Sequence, residues 1–280
     1  MMGHSPLIDV RFETEFLCAH SPTAANIPLE EIGLRLHELP ARHQRIRVTD
    51  VDPSRAQAAF DFLSARGHAT RIELADTANF TAAGPSTVRL WQPSPFLIEA
   101  LDFIQRERNL TGLSAIDVAC GAGRDAVYLA LRGLNVTAID LLPDALARAN
   151  DLARRSGVAL STIQHDVERQ NTLPTQNTAD VVTVFRYLHR PLFPALANAI
   201  TPGGYVIYET FHARNRETGQ RPHNPEHLLD TSELPAFFPG LRYSHRPRCL
   251  GARGPVFLIP AGSASGQRPI IFPATLTFRA

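Results

Sequence analysis

Between Leu113 and Leu141 the chain runs LSAIDVACGAGRDAVYLALRGLNVTAIDL, an order that reads strand, glycine turn, helix, strand, acid. An apolar run containing Ile116 and Val118 ends at Cys120-Gly121-Ala122-Gly123, and a helix starts near Arg124 with Val127, Leu129 and Leu131 among its apolar residues. A second apolar run, Val136 to Ile139, ends in Asp140. Glycines at such a turn let backbone approach a ligand that a Cβ would exclude, and the helix N-terminus offers free N–H groups. An acid closing the next strand, about twenty residues on, is placed to accept hydrogen bonds from both ribose hydroxyls of an adenosine cofactor. The segment therefore specifies an α/β fold with a nucleoside site at a strand-to-helix turn.

The identity of that nucleoside is the next question. Gly121 to Ala126 also fits the G-x-G-x-x-G/A pattern of dinucleotide binders, a match that is weak alone. Three features favour S-adenosylmethionine. Asp117 lies in the strand just ahead of the glycines, where an acid can orient the loop or meet the methionine ammonium. Arg124 follows the second glycine and offers a cation to a carboxylate. A third strand, Leu160 to His165, ends in Asp166-Val167, where an acid can accept from an adenine amino group. Acids at the ends of three successive strands (Asp117, Asp140, Asp166) form a constellation; the bland alternative is that they are solvated strand-end carboxylates.

The segment DVACGAGRDAVYLALRGLNVTAID resembles the first two motifs of class I S-adenosylmethionine-dependent methyltransferases. Within that group, C-G-x-G-R followed by Y-L and G-x-x-V-T-A-x-D is similar to the tellurite-resistance branch. The likeness runs from Leu113 to about Ala261 and implies a doubly wound, seven-stranded Rossmann-like sheet. It implies S-adenosyl-L-methionine as cofactor, lying over the carboxyl ends of the first strands. The residues it assigns to the cofactor are Asp117, Cys120, Gly121, Gly123, Arg124, Asp140, Leu141, Asp166, Val167 and Phe185.

Length and composition fit a cytoplasmic enzyme. At 280 residues the chain is long enough for two modest domains, and 44% hydrophobic with 20% charged residues places it in the globular class. A net charge of +1 gives no bulk attraction to nucleic acid or to an anionic membrane. Cys18, Cys120 and Cys249 have no paired spacing, which argues against a disulfide framework and a cysteine metal site; no metal is expected. No apolar run approaches membrane-spanning length, and the N-terminus shows no signal-peptide pattern.

Residues 1–75 read as a separate small parallel α/β module. Its expected elements are a strand over Pro6 to Arg11, a turn over His20 to Pro28, a helix starting at Leu29, a strand over Arg45 to Val48, a helix over Ala56 to Ala65 and a strand over Arg71 to Leu74. LIDVR, HSPTAANIPLEE and IRVTDVDPSRAQAAFDFLSARGH together resemble a rhodanese-like domain. Active members of that family carry C-x-x-G-x-R in the loop that holds a persulfide. Here Asp50 takes the cysteine position and Pro53 the glycine position, and Arg55 alone keeps its place. A carboxylate cannot carry sulfane sulfur, and proline removes an N–H donor, so the resemblance implies an inactive module. Cys18 is expected to be a buried small residue.

Residues 76–95 read as a linker, 96–261 as the cofactor domain and 262–280 as a tail of unknown structure. In the cofactor domain a helix from Pro95 precedes the first strand, and Pro143 to Ser156 forms another. Further strands are expected over Ala179 to Phe185, Tyr205 to Thr210, Leu241 to Arg246 and Pro255 to Pro260, with Pro202-Gly203-Gly204 as a turn. The last two strands would form an antiparallel hairpin at the sheet edge.

Methyl transfer from a sulfonium is an in-line displacement, and a base is needed only if the acceptor must lose a proton. Arg186, Tyr187 and His189, just beyond the fourth strand, are the expected catalytic and acceptor-facing residues: a cation, a phenol and an imidazole. Arg214, Arg216, Arg221 and His223 lie in a polar insertion that reads equally as a lid or a solvated connection. The basic insertion favours a small anionic acceptor, and the resemblance to the tellurite-resistance branch implies a soft one (thiol, selenium or tellurium). Two alternatives stay open: an RNA or protein methyltransferase docked through the N-terminal module, and a non-catalytic cofactor-binding interaction protein.

Overall fold

The structure, a computed structural model, describes residues 5–174, 178–211, 213, 222–230, 233–237 and 256–260. The chain divides into two compact units after Gln92.

The first unit is built on four parallel strands, β1 (Leu7–Asp9), β2 (Ala24–Asn26), β3 (Ile46–Thr49) and β4 (Thr70–Ile72), in the order β2-β1-β3-β4. Alternation along the strands sorts the side chains. Ile8, Val10, Ala25, Ile46 and Val48 share a core with Ala59 and Leu63 of a helix over Pro53–Ser64, while Leu7 and Ala24 pack with Phe16 of a short helix over Glu13–Cys18. We label these helices α1 (Glu13–Cys18) and α2 (Pro53–Ser64).

Three details depart from the sequence reading. The region after Leu29 forms turns and a short 3₁₀ segment over Leu36–Glu38, not a helix. Gly33 interrupts it and Pro40 stops it, while Arg35 holds the turns through Glu31 and Glu38. The expected turn over His20 to Pro28 contains β2, because pairing with β1 overrides the weak strand preference of alanine. Cys18 is exposed rather than buried, since it ends α1 on the side away from Phe16. In addition, residues 77–92, which read as linker, contribute to the first unit: Ala82 bridges His20, Ser86 Oγ donates to Ala24 O at 2.7 Å, and Leu90 joins the core.

The loop after β3 is closed on itself. The buried carboxylate of Asp50 accepts from Asp52 N at 2.9 Å and from Arg55 Nε at 3.1 Å. Arg55 also grips Glu30 with both terminal nitrogens and donates to Val10 O. These acceptors hold the guanidinium above its ordinary pKa, and Arg55 in turn holds the Glu30 carboxyl below its own.

The second unit opens with α3 (Pro95–Glu107) and continues through β5 (Ser114–Val118), α4 (Arg124–Leu131), β6 (Asn135–Asp140), α5 (Pro143–Arg155), β7 (Ser161–Gln164) and α6 (Val167–Gln170). It ends with β8 (Ala179–Phe185), α7 (Phe193–Asn198), β9 (Ile200–Glu209), a helical turn over Glu233–Phe237 and β10 (Val256–Pro260). The sheet order is β10-β9-β8-β5-β6-β7, with all neighbours parallel except the antiparallel β10–β9 pair. Six strands are thus present among the described residues; the expected strand Leu241 to Arg246, the arginines of the insertion and the tail 262–280 lie outside them.

The central strands carry near-continuous apolar runs because both faces are covered. On one face Ala115, Val136, Val181 and Ile207 pack with Phe96, Leu97, Leu101 and Ile104 of α3 and with Ala126 and Leu129 of α4. On the other, Ile116, Val118, Val182 and Val206 pack with Phe193 and Leu196 of α7. The Pro202-Gly203-Gly204 turn lies inside β9 as an irregularity, since Ile200 pairs with Ala179 but Tyr205 with Val181. From β5 the chain winds outward through β6 and β7, then crosses to β8 and β9. The switch in direction falls between β5 and β8, and ligands of open α/β sheets bind at the carboxyl ends beside such a point.

Candidate active site

The loop at the carboxyl end of β5 turns through left-handed backbone at Ala119 (φ 55°), Gly121 (φ 55°) and Gly123 (φ 78°). For Ala119 this conformation is strained, and such strain concentrates at functional sites. The two glycines serve different ends. A Cβ on Gly121 would meet nothing within 4 Å, so that position faces open space where a ligand can approach. A Cβ on Gly123 would stand 2.5 Å from Ala149 Cβ on α5, so that glycine lets two helices come together.

Asp140, at the end of β6, is already oriented by backbone. Its Oδ2 accepts from Gly121 N at 2.8 Å and its Oδ1 from Leu142 N at 2.9 Å. Each carboxylate oxygen has a further lone pair, which suits a two-hydroxyl ribose contact beside the open face of Gly121. Leu141 and Leu142 stand exposed next to it.

Asp117 lies beneath the loop rather than in the cleft. It is 2% exposed, its Oδ1 accepts from Thr183 Oγ1 at 2.7 Å, and its Oδ2 is buried without a hydrogen-bond partner. Burial, then the neighbouring Asp125 carboxyl, pushes its pKa up to about 8. The same surroundings push the Cys120 thiol up, by burial and by Asp117 and Asp140. An acid whose folded pKa exceeds its unfolded value favours the fold below the unfolded pKa, and that contribution is lost as pH rises toward the folded pKa. Asp117→Asn, which mimics the protonated acid, should therefore lose less stability than the native chain between pH 4 and about pH 8. Parallel denaturation curves across that range provide the check; identical pH slopes in both proteins would contradict the assignment.

Asp166 caps α6, its Oδ1 accepting from Glu168 N and Arg169 N, and Val167 beside it is buried. Phe185 packs in the core under α3. Arg186 follows with left-handed backbone (φ 58°) and an exposed side chain, and its N–H donates to Glu209 O at 2.6 Å. Tyr187 and His189 turn toward α6: the phenol donates to Glu168 Oε1 at 3.2 Å, and His189 Nε2 meets Asn171 Oδ1 at 2.6 Å. Burial, then Glu168, raises the Tyr187 pKa, so the phenol serves as a donor and not as a base at neutral pH.

A polar group that the motif reading passed over joins these strand ends. Ser94 N donates to Asp125 Oδ1 at 2.6 Å, and Ser94 Oγ donates to Glu209 Oε2 at 2.6 Å. Burial raises the Asp125 pKa, and Arg186 lies close enough to oppose that rise. Glu209 had the same signal as Asp140, an acid ending a parallel strand; Ser94 had only its place between two prolines. Arg190, also missed, pairs with Glu233 and donates to the carbonyls of Glu226 and Leu228, fixing the segment that returns after the insertion. No group of residues suited to hold a metal ion occurs among the described residues. Among the same residues, no helix is long and apolar enough to cross a membrane.

Residues 115–204 match the family model of a methyltransferase domain. A ubiquinone biosynthesis O-methyltransferase of Cronobacter sakazakii is 34% identical over 113 residues, which is 39% of this chain and 46% of that protein. The protein so named in Sodalis glossinidius is 36% identical over 118 residues, 40% of this chain and 47% of that one. The chain thus spans about half the length of the curated relatives it matches. The crystal structure of an S-adenosylmethionine-dependent methyltransferase from Clostridium acetobutylicum aligns with a TM-score of 0.50 at 15% identity, covering 60% of this chain and 92% of that one. At that identity the likeness speaks for the fold. The match to a methyltransferase domain thus falls within the second unit, on its Rossmann-like sheet.

Proposed function

We propose that the chain is an S-adenosylmethionine-dependent methyltransferase acting on a small acceptor. The observation that carries this reading is the preset Asp140 carboxylate, held by Gly121 N–H beside the open face of the glycine loop at the sheet's switch point. When bound, the cofactor supplies a methyl group on a sulfonium. The chain's own part is to bind, orient and manage charge. Asp140 takes the ribose hydroxyls, the N-terminus of α4 faces the methionine end with Arg124, and Asp166 keeps its second oxygen for the adenine amino group. Leu141 and Val167 flank the base.

Arg186 is our residue for an anionic group on the acceptor, since its exposed guanidinium is carried on a backbone fixed by Glu209. For an acceptor that must lose a proton, we assign His189. Asn171 Oδ1 accepts a hydrogen bond from Nε2–H, which leaves the lone pair of Nδ1 to receive the proton. The relatives' names favour an oxygen acceptor; thiols and selenium or tellurium oxyanions remain in the same small, soft or anionic class. Cofactor turnover screened against small hydroxyl compounds, thiols, these oxyanions and RNA tests the reading. Turnover with a small acceptor is expected, and turnover with RNA alone would favour the docked-macromolecule alternative. With the active acceptor, Arg186→Ala should cut turnover at least about tenfold, roughly 1.4 kcal/mol of barrier, while cofactor affinity stays within a few tenths of a kcal/mol. Collapse of both together would make Arg186 a cofactor or structural residue.

For the first unit we propose a rhodanese-like module without sulfur transfer. Asp50 fills the position of the reactive cysteine and is committed to Arg55 and Asp52 N. Thiosulfate-to-cyanide transfer should stay at background in the native chain and in Asp50→Cys, because Pro53 still lacks a donor. Appreciable native activity would contradict the assignment.

A further inference from the structure

Ser94 occupies the N-cap position of α3, yet its hydroxyl makes no capping hydrogen bond. A serine at this position ordinarily stabilises its helix by capping it, and here the hydroxyl instead reaches Glu209, 115 residues away. The two partners are 1% and 5% exposed, so the bond is shielded from water, and a buried carboxylate left without its donor would cost more than the bond itself contributes. Pro95 restricts the backbone of Ser94 to an extended form, observed at φ −54°, ψ 128°, and Pro93 just before it has its own φ fixed by its ring. The backbone N–H of the same residue is taken by Asp125, two positions after Gly123. One stiff tripeptide is therefore bound by two carboxylates. One sits on the first turn after the glycine loop, and the other ends the strand that fixes Arg186.

We propose that Ser94 and Glu209 are positioning residues that hold the Pro93–Pro95 arm across the carboxyl edge of the sheet, tying the cofactor loop to the acceptor end. The functional half of this inference rests on the methyltransferase reading; the latch itself does not. Neither residue needs to touch the reacting atoms. Their effect is to preorganise the first turn of α4 and the tip of β8 in one arrangement before ligand arrives, which reduces what binding must spend on ordering.

The test uses the full chain and the variants Ser94→Ala, Glu209→Ala, Glu209→Gln and the double Ser94→Ala/Glu209→Ala. Two readouts are compared: hydrogen exchange at the amides of Ser94, Leu97 and Ile98 in the free protein, and affinity for S-adenosylhomocysteine. Each alanine variant should speed exchange at these amides at least about tenfold, and the double variant should do no more than either single one, because both remove the same link. Affinity for S-adenosylhomocysteine should fall about fivefold or more in all three, and no further in the double variant than in Ser94→Ala. Glu209→Gln keeps an acceptor for the hydroxyl and should restore protection. Unchanged exchange, or additive effects in the double variant, overturns the latch. Faster exchange with unaltered affinity overturns the positioning role. If the native chain does not bind S-adenosylhomocysteine, the methyltransferase reading fails, while the exchange data still decide the latch.

Discussion

Asp140→Ala should weaken S-adenosylhomocysteine binding at least about thirtyfold, on the order of 2 kcal/mol, with the fold intact. The carboxylate offers charge-assisted acceptors to two ribose hydroxyls and, through Oδ2, also holds Gly121 N–H at 2.8 Å. Alanine removes the ligand contact and the restraint on the loop together. Because Gly121 and Leu142 are near the surface, their freed N–H groups can turn to water, so stability should change little. Calorimetric titration of both proteins checks this. Affinity within about threefold of native would show that the ribose is held elsewhere.

Gly123→Ala should be the most damaging small substitution in the loop. The new methyl would stand 2.5 Å from Ala149 Cβ and 2.9 Å from its Cα, contacts that neither helix can relieve by a rotamer change. The position also has φ 78°, which costs a non-glycine residue about 1–2 kcal/mol. Overpacking adds about 1–3 kcal/mol, so the sum is roughly 3 kcal/mol and the melting temperature should drop by roughly 6–12 °C. Gly121→Ala has the same backbone cost but no clash, and should lose stability by only about 1–2 kcal/mol while impairing cofactor binding. Equal melting temperatures for the two variants would contradict this division of labour.

The parts of the fold that could be read from the sequence are those governed by local pattern. The β5-loop-α4-β6 unit, Asp140 at its end and the extent of β8 all follow from short-range periodicity, turn chemistry and strand-end acids. What escaped depends on distant partners. The Ser94–Glu209 link joins residues 115 positions apart, and no spacing rule connects them. Tyr187 and His189 sit where the strand reading placed them, but Glu168 and Asn171 turn their side chains toward α6. Asp117 ends up beneath the loop because its register partner is Thr183, a neighbour set by sheet order and invisible in the strand alone. In the first unit, β2 formed from Ala24–Asn26 because β1 supplied the hydrogen bonds that its own residue preferences did not foretell.

The most direct measurement of the central claim is titration of the native chain with S-adenosylhomocysteine and, separately, with NAD. Both carry the adenosine that Asp140 would grip, and the glycine pattern alone admits either. The account predicts saturable binding of S-adenosylhomocysteine and none of NAD at the same concentrations. Binding of NAD with equal or greater affinity, or no binding of S-adenosylhomocysteine, would contradict it.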